Sequence, residues 1–495
     1  MTTDDTEADD RADAEGGSDG AGVVRGERFT GGPARSFLSS LAADERLFAA
    51  DIAVDRAHVV MLAEQAVVGD SDAAAILGAL AEVAAAGHGS LPAGEDVHEA
   101  IETAVIDRIG PVGGRMHTAR SRNDEVATCI RHRLREDLLA ALAAVLGGRE
   151  RLLDSAAEHT ETVMPGYTHL QPAQPTTVAH WLCSYERALA RDTARLVDAY
   201  DRVNQSPLGA AAFAGTTFDI DRGRTADLLG FDGVVENAMD AVSARDFLLE
   251  STAAVTGLAV TLAGLAEDGV LFAHRGFLRL DDEYASTSSI MPQKKNPDTL
   301  ELVRGRTGDA AAALSGLVTV LSGLPRAYNR DLQRAGRHAW DAIDSVTAAT
   351  EVAVGAVTTA GWNETALAAA AESGFGTATG VADLLARAGI PFRTAHEVVA
   401  RAGEADLEAL DEAAQAVLGE SLWSHVDRAA VEGVLDPTES VTTRDSRGGP
   451  APDAMAASLG RARDGLAADR ELLADRRAQL DAAERRLDRE VSRRV

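Results

Sequence analysis

The stretch S288-S-I-M-P-Q-K-K-N-P-D298 holds both lysines of a 495-residue chain, and the other 46 of its 48 basic residues are arginine. Asn296 reads as a helix N-cap, Pro297 suits the first helical position and Asp298 the first turn, so a helix is expected directly after Lys294 and Lys295. Two ammonium groups at the positive end of a helix dipole oppose helix stability. They become sensible where an anion sits on the free backbone N–H groups. A solvated loop that merely carries charge is the ordinary reading of a Lys-Lys pair. That reading does not explain why arginine, used everywhere else, is avoided twice running, and an ammonium is a compact point charge where a guanidinium is a planar fork.

Outward from this loop the chain reads as helix. One long pattern follows at about 298–322, and others precede it at about 176–205 and 237–275. A fourth runs from Ser121 to about Gly147, with Ser121 as N-cap and Asp124 three residues on. Residues 34–88 carry Ala, Leu and Val at spacings of three and four. From about 365 the pattern shortens, with turns at G389-IP and G448-GPAP, and no stretch alternates as a strand would. The expected fold is all-α: an N-terminal helical domain (23–119), a central long-helix bundle carrying the lysine loop (120–368) and a C-terminal helical domain (369–495). Residues 1–22 read as a disordered acidic tail without the apolar run of a signal peptide. Leu459, Leu466, Leu473, Leu480 and Leu487 recur every seven residues, but their companion positions are mostly polar. A stripe packing on its own domain is expected over a dimerising coiled coil.

Composition narrows the function. Acids outnumber bases 78 to 48, giving a net charge of -30, which argues against nucleic-acid or membrane partners. The apolar run Ser251–Ala266 falls short of the ~20 residues of a membrane span and reads as a buried bundle helix. An acidic, lysine-poor exterior fits a halophilic protein and equally fits a GC-rich genome. Two cysteines are too few for a disulfide framework and fit a reducing cytoplasm. A P-loop is excluded, since neither a glycine at the needed spacing nor a strand precedes the lysines, and the missing G-x-S-x-G argues against a serine hydrolase. Cys129-x-x-His132 and His180-x-x-Cys183 place zinc-ligand types three apart, but inside continuous helical patterns, and no metal is expected.

Two further segments share the character of the lysine loop. H117-TARSRND124 sets Arg120 and Arg122 at a helix start beside Ser121 and Asn123. G166-YTHLQPAQPTT177 reads as a proline-stiffened loop carrying Thr168, His169, Gln171 and Gln174 ahead of a helix capped near Thr176. Three donor clusters at helix N-termini point to a ligand with several carboxylates.

These segments resemble the fumarase/aspartase superfamily, whose signature loop S288-SIMPQKKNPD is similar to. The QKKN ending, with H117-TARSRND and T168-HLQPAQPT, resembles the argininosuccinate lyase family within it. G26-ERF, E95-DVHEAIE, A241-VSARDF, Y328-NRDLQ, I390-PFRTAHEVV and R444-DSRGGPAP extend the likeness over about 23–465. The resemblance implies a carbon–nitrogen lyase of arginine biosynthesis. It would interconvert argininosuccinate with arginine and fumarate, and need no metal or organic cofactor. It also implies a homotetramer with a twenty-helix core and active sites built from three subunits. Ser288 would be the general base, with Lys294 and Asn296 meeting charge that develops on a carboxylate. His169, paired with Glu301 of a neighbouring chain, would act as general acid or position the substrate. Substrate contacts carry over to Ser40, Asp44, Asp96, Asn123, Thr168, Arg245, Asp298, Tyr328, Arg330 and Gln333, and Ser121 and Arg122 are added here for a carboxylate. Thr287 stands where relatives usually have glycine, and Arg330 where they have lysine. Gly336, beside Arg337, occupies a further usual lysine position. Two other readings are a lyase for adenylosuccinate or aspartate, and a non-catalytic relative of the kind recruited to eye lenses. QKKN and RSRND argue against the first; intact Ser288, His169 and Lys294 argue against the second.

Overall fold

Helical spacing of small apolar residues builds almost the whole molecule. A computed structural model describes residues 33–495, apart from the side chain of Arg35. The acidic tail 1–22 and the G26-ERF motif lie outside the described residues. Helices α1 (Phe48–Glu64), α2 (Asp70–Ala86) and α3 (Val97–Ile109) pack on one another and on α4 (Arg122–Glu158). The predicted capping box starts α4: the Ser121 hydroxyl accepts from the Asn123 N–H, and Asp124 accepts from the Ser121 N–H at 2.9 Å. This helix runs well past the expected end at Gly147. Gly148 is a close approach rather than a break, since a Cβ there would stand 3.2 Å from a methyl of Val354.

The expected loop 166–177 is instead an antiparallel hairpin, β1 (Val163–Thr168) with β2 (Gln171–Thr177). Its prolines are tolerated because a two-stranded hairpin consists of edges only. Gly166 sits at a register shift, where a Cβ would meet the Gln174 carbonyl at 2.4 Å. His169 and Leu170 form the tip with φ of 56° and 58°. That left-handed pair matches the twist of a tight hairpin, but ordinarily uses Asn and Gly.

Thr177, one residue later than expected, caps α5 (Val178–Val203) by accepting from the His180 N–H at 3.1 Å. The pattern at 237–275 is two helices, Ala238–Ser243 and α6 (Asp246–His274), broken at Ala244–Arg245. After the lysine loop come α7 (Asp298–Leu321) and α8 (Ala335–Thr358). Helices α4 to α8 pack side by side as an up-and-down bundle around one large core. The last helix, α9 (Pro452–Ser492), lies along α4, α5 and α1, and Leu459, Leu466, Leu473 and Leu487 are buried in that same core. The heptad leucines therefore pack within their own chain, but not on the C-terminal domain as expected. They join the main core, whereas a second, separate core gathers residues between Val381 and Val431. A domain division at 369 thus detaches α9 from the core that it completes.

Chain direction decides which loops share an end of the bundle. The 37 residues of α4 span ~55 Å at 1.5 Å per residue. Asn123 begins this helix and the hairpin follows its far end. Helices α6 and α7, with 29 and 24 residues, carry the chain from Arg245 out to the lysine loop and back toward Tyr328. Ring contacts among His159, Trp181, Trp362 and Phe272 tie the hairpin end of α4 and α5 to the ends of α6 and α8.

Candidate active site

At the end where α4 begins, a cavity of about 800 Å³ opens. Nine of the expected substrate contacts line it: Ser40, Asp44 and Asp96 from the N-terminal segment, Arg122 and Asn123 from α4, Arg245 before α6, and Tyr328, Arg330 and Gln333 before α8. Ser40 donates to Asp44 at 2.6 Å; burial still pushes that carboxyl above its usual range. Asp96 caps α3 and faces Arg122 at 3.3 Å. Arg330 donates to Glu95 and to the Leu38 carbonyl, which Gln333 also reaches.

Arg245 is the sharpest feature of this cavity. The residue is only 2% exposed, two of its N–H groups serve the Val242 and Ala244 carbonyls, and Nε and the other terminal nitrogen have no protein partner among the described residues. Burial lowers its pKa to about 10. A buried cation with unused donors is a receptor for an anion.

Beneath the cavity lies a buried charge network that the sequence reading missed. His98, from the quoted E95-DVHEAIE segment, lines the cavity and binds Asp51 at 2.9 Å. Burial opposes its charge, but Asp51 outweighs this and raises His98 to about 10. Cys129 donates its S–H to the same Asp51, while His132 stands edge-on to Phe231. Arg120, expected among donors for a ligand, is instead enclosed between Asp55 and Glu125. Ser121 caps α4 by accepting from the Asn123 N–H, and a hydroxyl that accepts keeps its own O–H for donation.

The lysine loop is at the other end of the bundle and differs from its expected form. Asn296 is not a helix cap. Ser286–Thr287 pair antiparallel with Lys295–Asn296, and Pro297 holds the cap position. Asp298 accepts from the Ser286 N–H and hydroxyl, which draws its carboxyl below the usual range. It latches the loop within its own chain. The Lys295 ammonium donates to the Leu280 carbonyl and to Asp282 at 2.6 Å. Lys294 is exposed and has no side-chain partner among the described residues. The two lysines therefore do not share one role. Ser288 Oγ accepts from the N–H groups of Ile290 (3.3 Å) and Met291 (3.1 Å), a small nest of donors suited to negative charge on oxygen. Glu301 is exposed on the first turn of α7, and Thr168 and His169 are exposed at the hairpin tip.

The candidate residues thus fall into three groups: the cavity, the hairpin tip and the lysine loop. The cavity is ~35–55 Å from the other two, given the helices that connect them. One chain does not bring Ser288 or His169 to Asn123.

Comparison with known proteins places the fold and the family. The fold is shared with a solved EDDS lyase in complex with formate, at 34% identity and a TM-score of 0.83, covering 94% of this chain and 96% of that one. A lyase family model matches residues 35–311, and a model described as argininosuccinate lyase C-terminal matches 375–442. An argininosuccinate lyase of Haloarcula marismortui is 67% identical over 96% of each chain, and one of Natronomonas pharaonis is 69% identical over 96% of this chain and 97% of its own. The protein is an enzyme of the lyase class with the all-α fumarase/aspartase fold. It belongs to the argininosuccinate lyase family.

Proposed function

We propose that this chain catalyses the reversible β-elimination of argininosuccinate to L-arginine and fumarate. Elimination begins by removing a proton from the carbon next to a carboxylate. Ser288 is the base, Lys294 meets the charge that gathers on the carboxylate, and the arginine guanidinium leaves. A serine hydroxyl is a weak base unaided, and the carrying observation is that two backbone N–H groups already aim at Ser288 Oγ. An alkoxide there accepts both as charge-assisted bonds. Arg245 and Arg122 receive carboxylates, and Asp44 and Asp96 face the cationic half of the substrate.

Active sites in this reading form between copies of the chain in a homotetramer, with the loop, the hairpin and the cavity each from a different subunit. The separation of the three groups supports it, and so does the outer face of α6 and α7. Val260 and Leu302 are each 60% exposed, with Gly305, Gly308, Ala311 and Ala312 open beside them. Helix α6 is long and apolar enough by composition to cross a membrane, and half of its most apolar window is buried; copies of the same bundle would cover the rest. A net charge of -30 and two free, buried thiols support work in a salty, reducing cytoplasm. Adding argininosuccinate at high salt and following fumarate absorbance tests the reaction. Ser288→Ala is expected to abolish turnover while light scattering still reports the tetramer; a fully active variant removes Ser288 as the base. A second reading, a lyase for a different substrate, draws on the similarity to EDDS lyase, and wins if argininosuccinate is inert while another succinyl compound releases fumarate.

A further inference from the structure

The rims of the lysine loop are held together at three points. Ser286–Thr287 pair with Lys295–Asn296, Asp298 latches Ser286, and Lys295 reaches back to the segment that precedes the loop. Between these points Ser288 is half-buried and the chain from Ser289 to Lys294 is exposed, with its tip residue Ile290 84% exposed. The Ser288 N–H donates to the Lys294 carbonyl at 3.1 Å, and the Lys294 N–H donates to the Met291 carbonyl at 3.0 Å. The base, its donor nest and Lys294 are therefore one hydrogen-bonded unit. Lys295 is the next residue, and its ammonium is anchored outside the unit, on the Leu280 carbonyl and Asp282. The Leu280 side chain is buried in the main core. This contact fastens an exposed turn to the buried end of the bundle. The two adjacent ammonium groups therefore do different work.

We propose that Lys295 is a positioning residue for the elimination: its ammonium clips the loop base to the Leu280 carbonyl and Asp282, and so aims Ser288 and Lys294. This rests on the reading of Ser288 as the base. A clip works through geometry, so its loss disorganises the donor nest without removing a substrate contact.

Lys295→Met keeps the length of the side chain and removes its donors. The expected result is a kcat lowered about ten- to a hundredfold, the scale of a lost charge-assisted bond, with KM changed less than threefold. The acidic limb of the kcat–pH profile is expected to move to higher pH, because a looser nest stabilises the Ser288 alkoxide less. Asp282→Asn, an exposed change that leaves the carbonyl contact, is expected to show the same pattern at smaller amplitude. Hydrogen exchange at the Ser288 and Lys294 amides is expected to accelerate in both variants, a readout independent of turnover. Wild-type kcat with an unmoved pH profile in Lys295→Met overturns the proposal, as does an effect confined to KM. If wild-type protein releases no fumarate, the functional reading fails, whereas unchanged amide exchange defeats the clip itself.

Discussion

Replacing His98 by Gln isolates the buried network under the cavity. Glutamine fills much of the same space and keeps a donor, but it cannot carry charge. Asp51 would then be a fully buried carboxylate facing Asp55 and Glu125, with its S–H bond from Cys129 intact and Arg120 committed to the other two acids. Raising a histidine from 6.5 to about 10 corresponds to ~5 kcal/mol at 1.36 kcal/mol per pH unit. The pair shares that energy with its neighbours, so ~5 kcal/mol is an upper bound, and breaking one partner of a buried ion pair costs ~3–5 kcal/mol. Folded His98 holds its proton more tightly than the unfolded chain does. Its contribution is therefore complete below pH ~6.5, the ordinary histidine value, and drains away as pH climbs toward about 10. Guanidinium unfolding at fixed protein and salt concentration, run at pH 6 and pH 9, is the assay. The variant should be several kcal/mol less stable at pH 6, and the gap should narrow at pH 9. Asp51→Asn in the same background should recover part of the loss. A variant within 1 kcal/mol of wild type at pH 6, or a gap that widens with pH, would refute the buried imidazolium.

Other outcomes follow from single residues. Arg245→Met should raise KM for argininosuccinate about ten- to a hundredfold, the range for a charge-assisted contact, while unfolding changes little because a buried cation is removed; an unchanged KM places the anion elsewhere. Gly148→Leu should destabilise the bundle by ~1–3 kcal/mol through overpacking against Val354, read as an earlier denaturation midpoint with no change in KM. Mixing Ser288→Ala with Arg245→Met subunits after mild dissociation and reassociation should raise the rate at low argininosuccinate above that of either variant alone, since some sites then combine two intact parts. Activity that stays at the level of the parents would count against sites shared between chains.

How much was legible depended on the range of the interaction. The α4 capping box, the start of α7 near Asp298 and the leucine stripe of α9 are set by residues within a turn or two of each other, and all are visible in the sequence. The hairpin 163–177 was not, because prolines hide the strand signal and its turn uses His169 and Leu170 in place of Asn and Gly. Eight of the nine cavity residues came from likeness to a family and Arg122 from its place at a helix start; composition alone would not have assembled them. His98 was passed over although its segment had been quoted, since nothing local distinguishes a histidine that meets Asp51 from 47 positions away. Arg120, Asp298 and Lys295 read as open to a ligand because their polar character is local, whereas the groups that satisfy them lie beyond the next turn of chain.

The sequence by itself determined the helical fold, the family and the chemistry of the lysine loop, because periodicity, caps and motifs are written in neighbouring residues. Only the tertiary structure decided which charges were already neutralised inside the protein and which were left for a substrate. It also set Ser288 and the cavity around Arg245 at opposite ends of the bundle. The reason is physical: a charge is satisfied by whatever lies within a few ångströms, and packing, not order along the chain, chooses that neighbour.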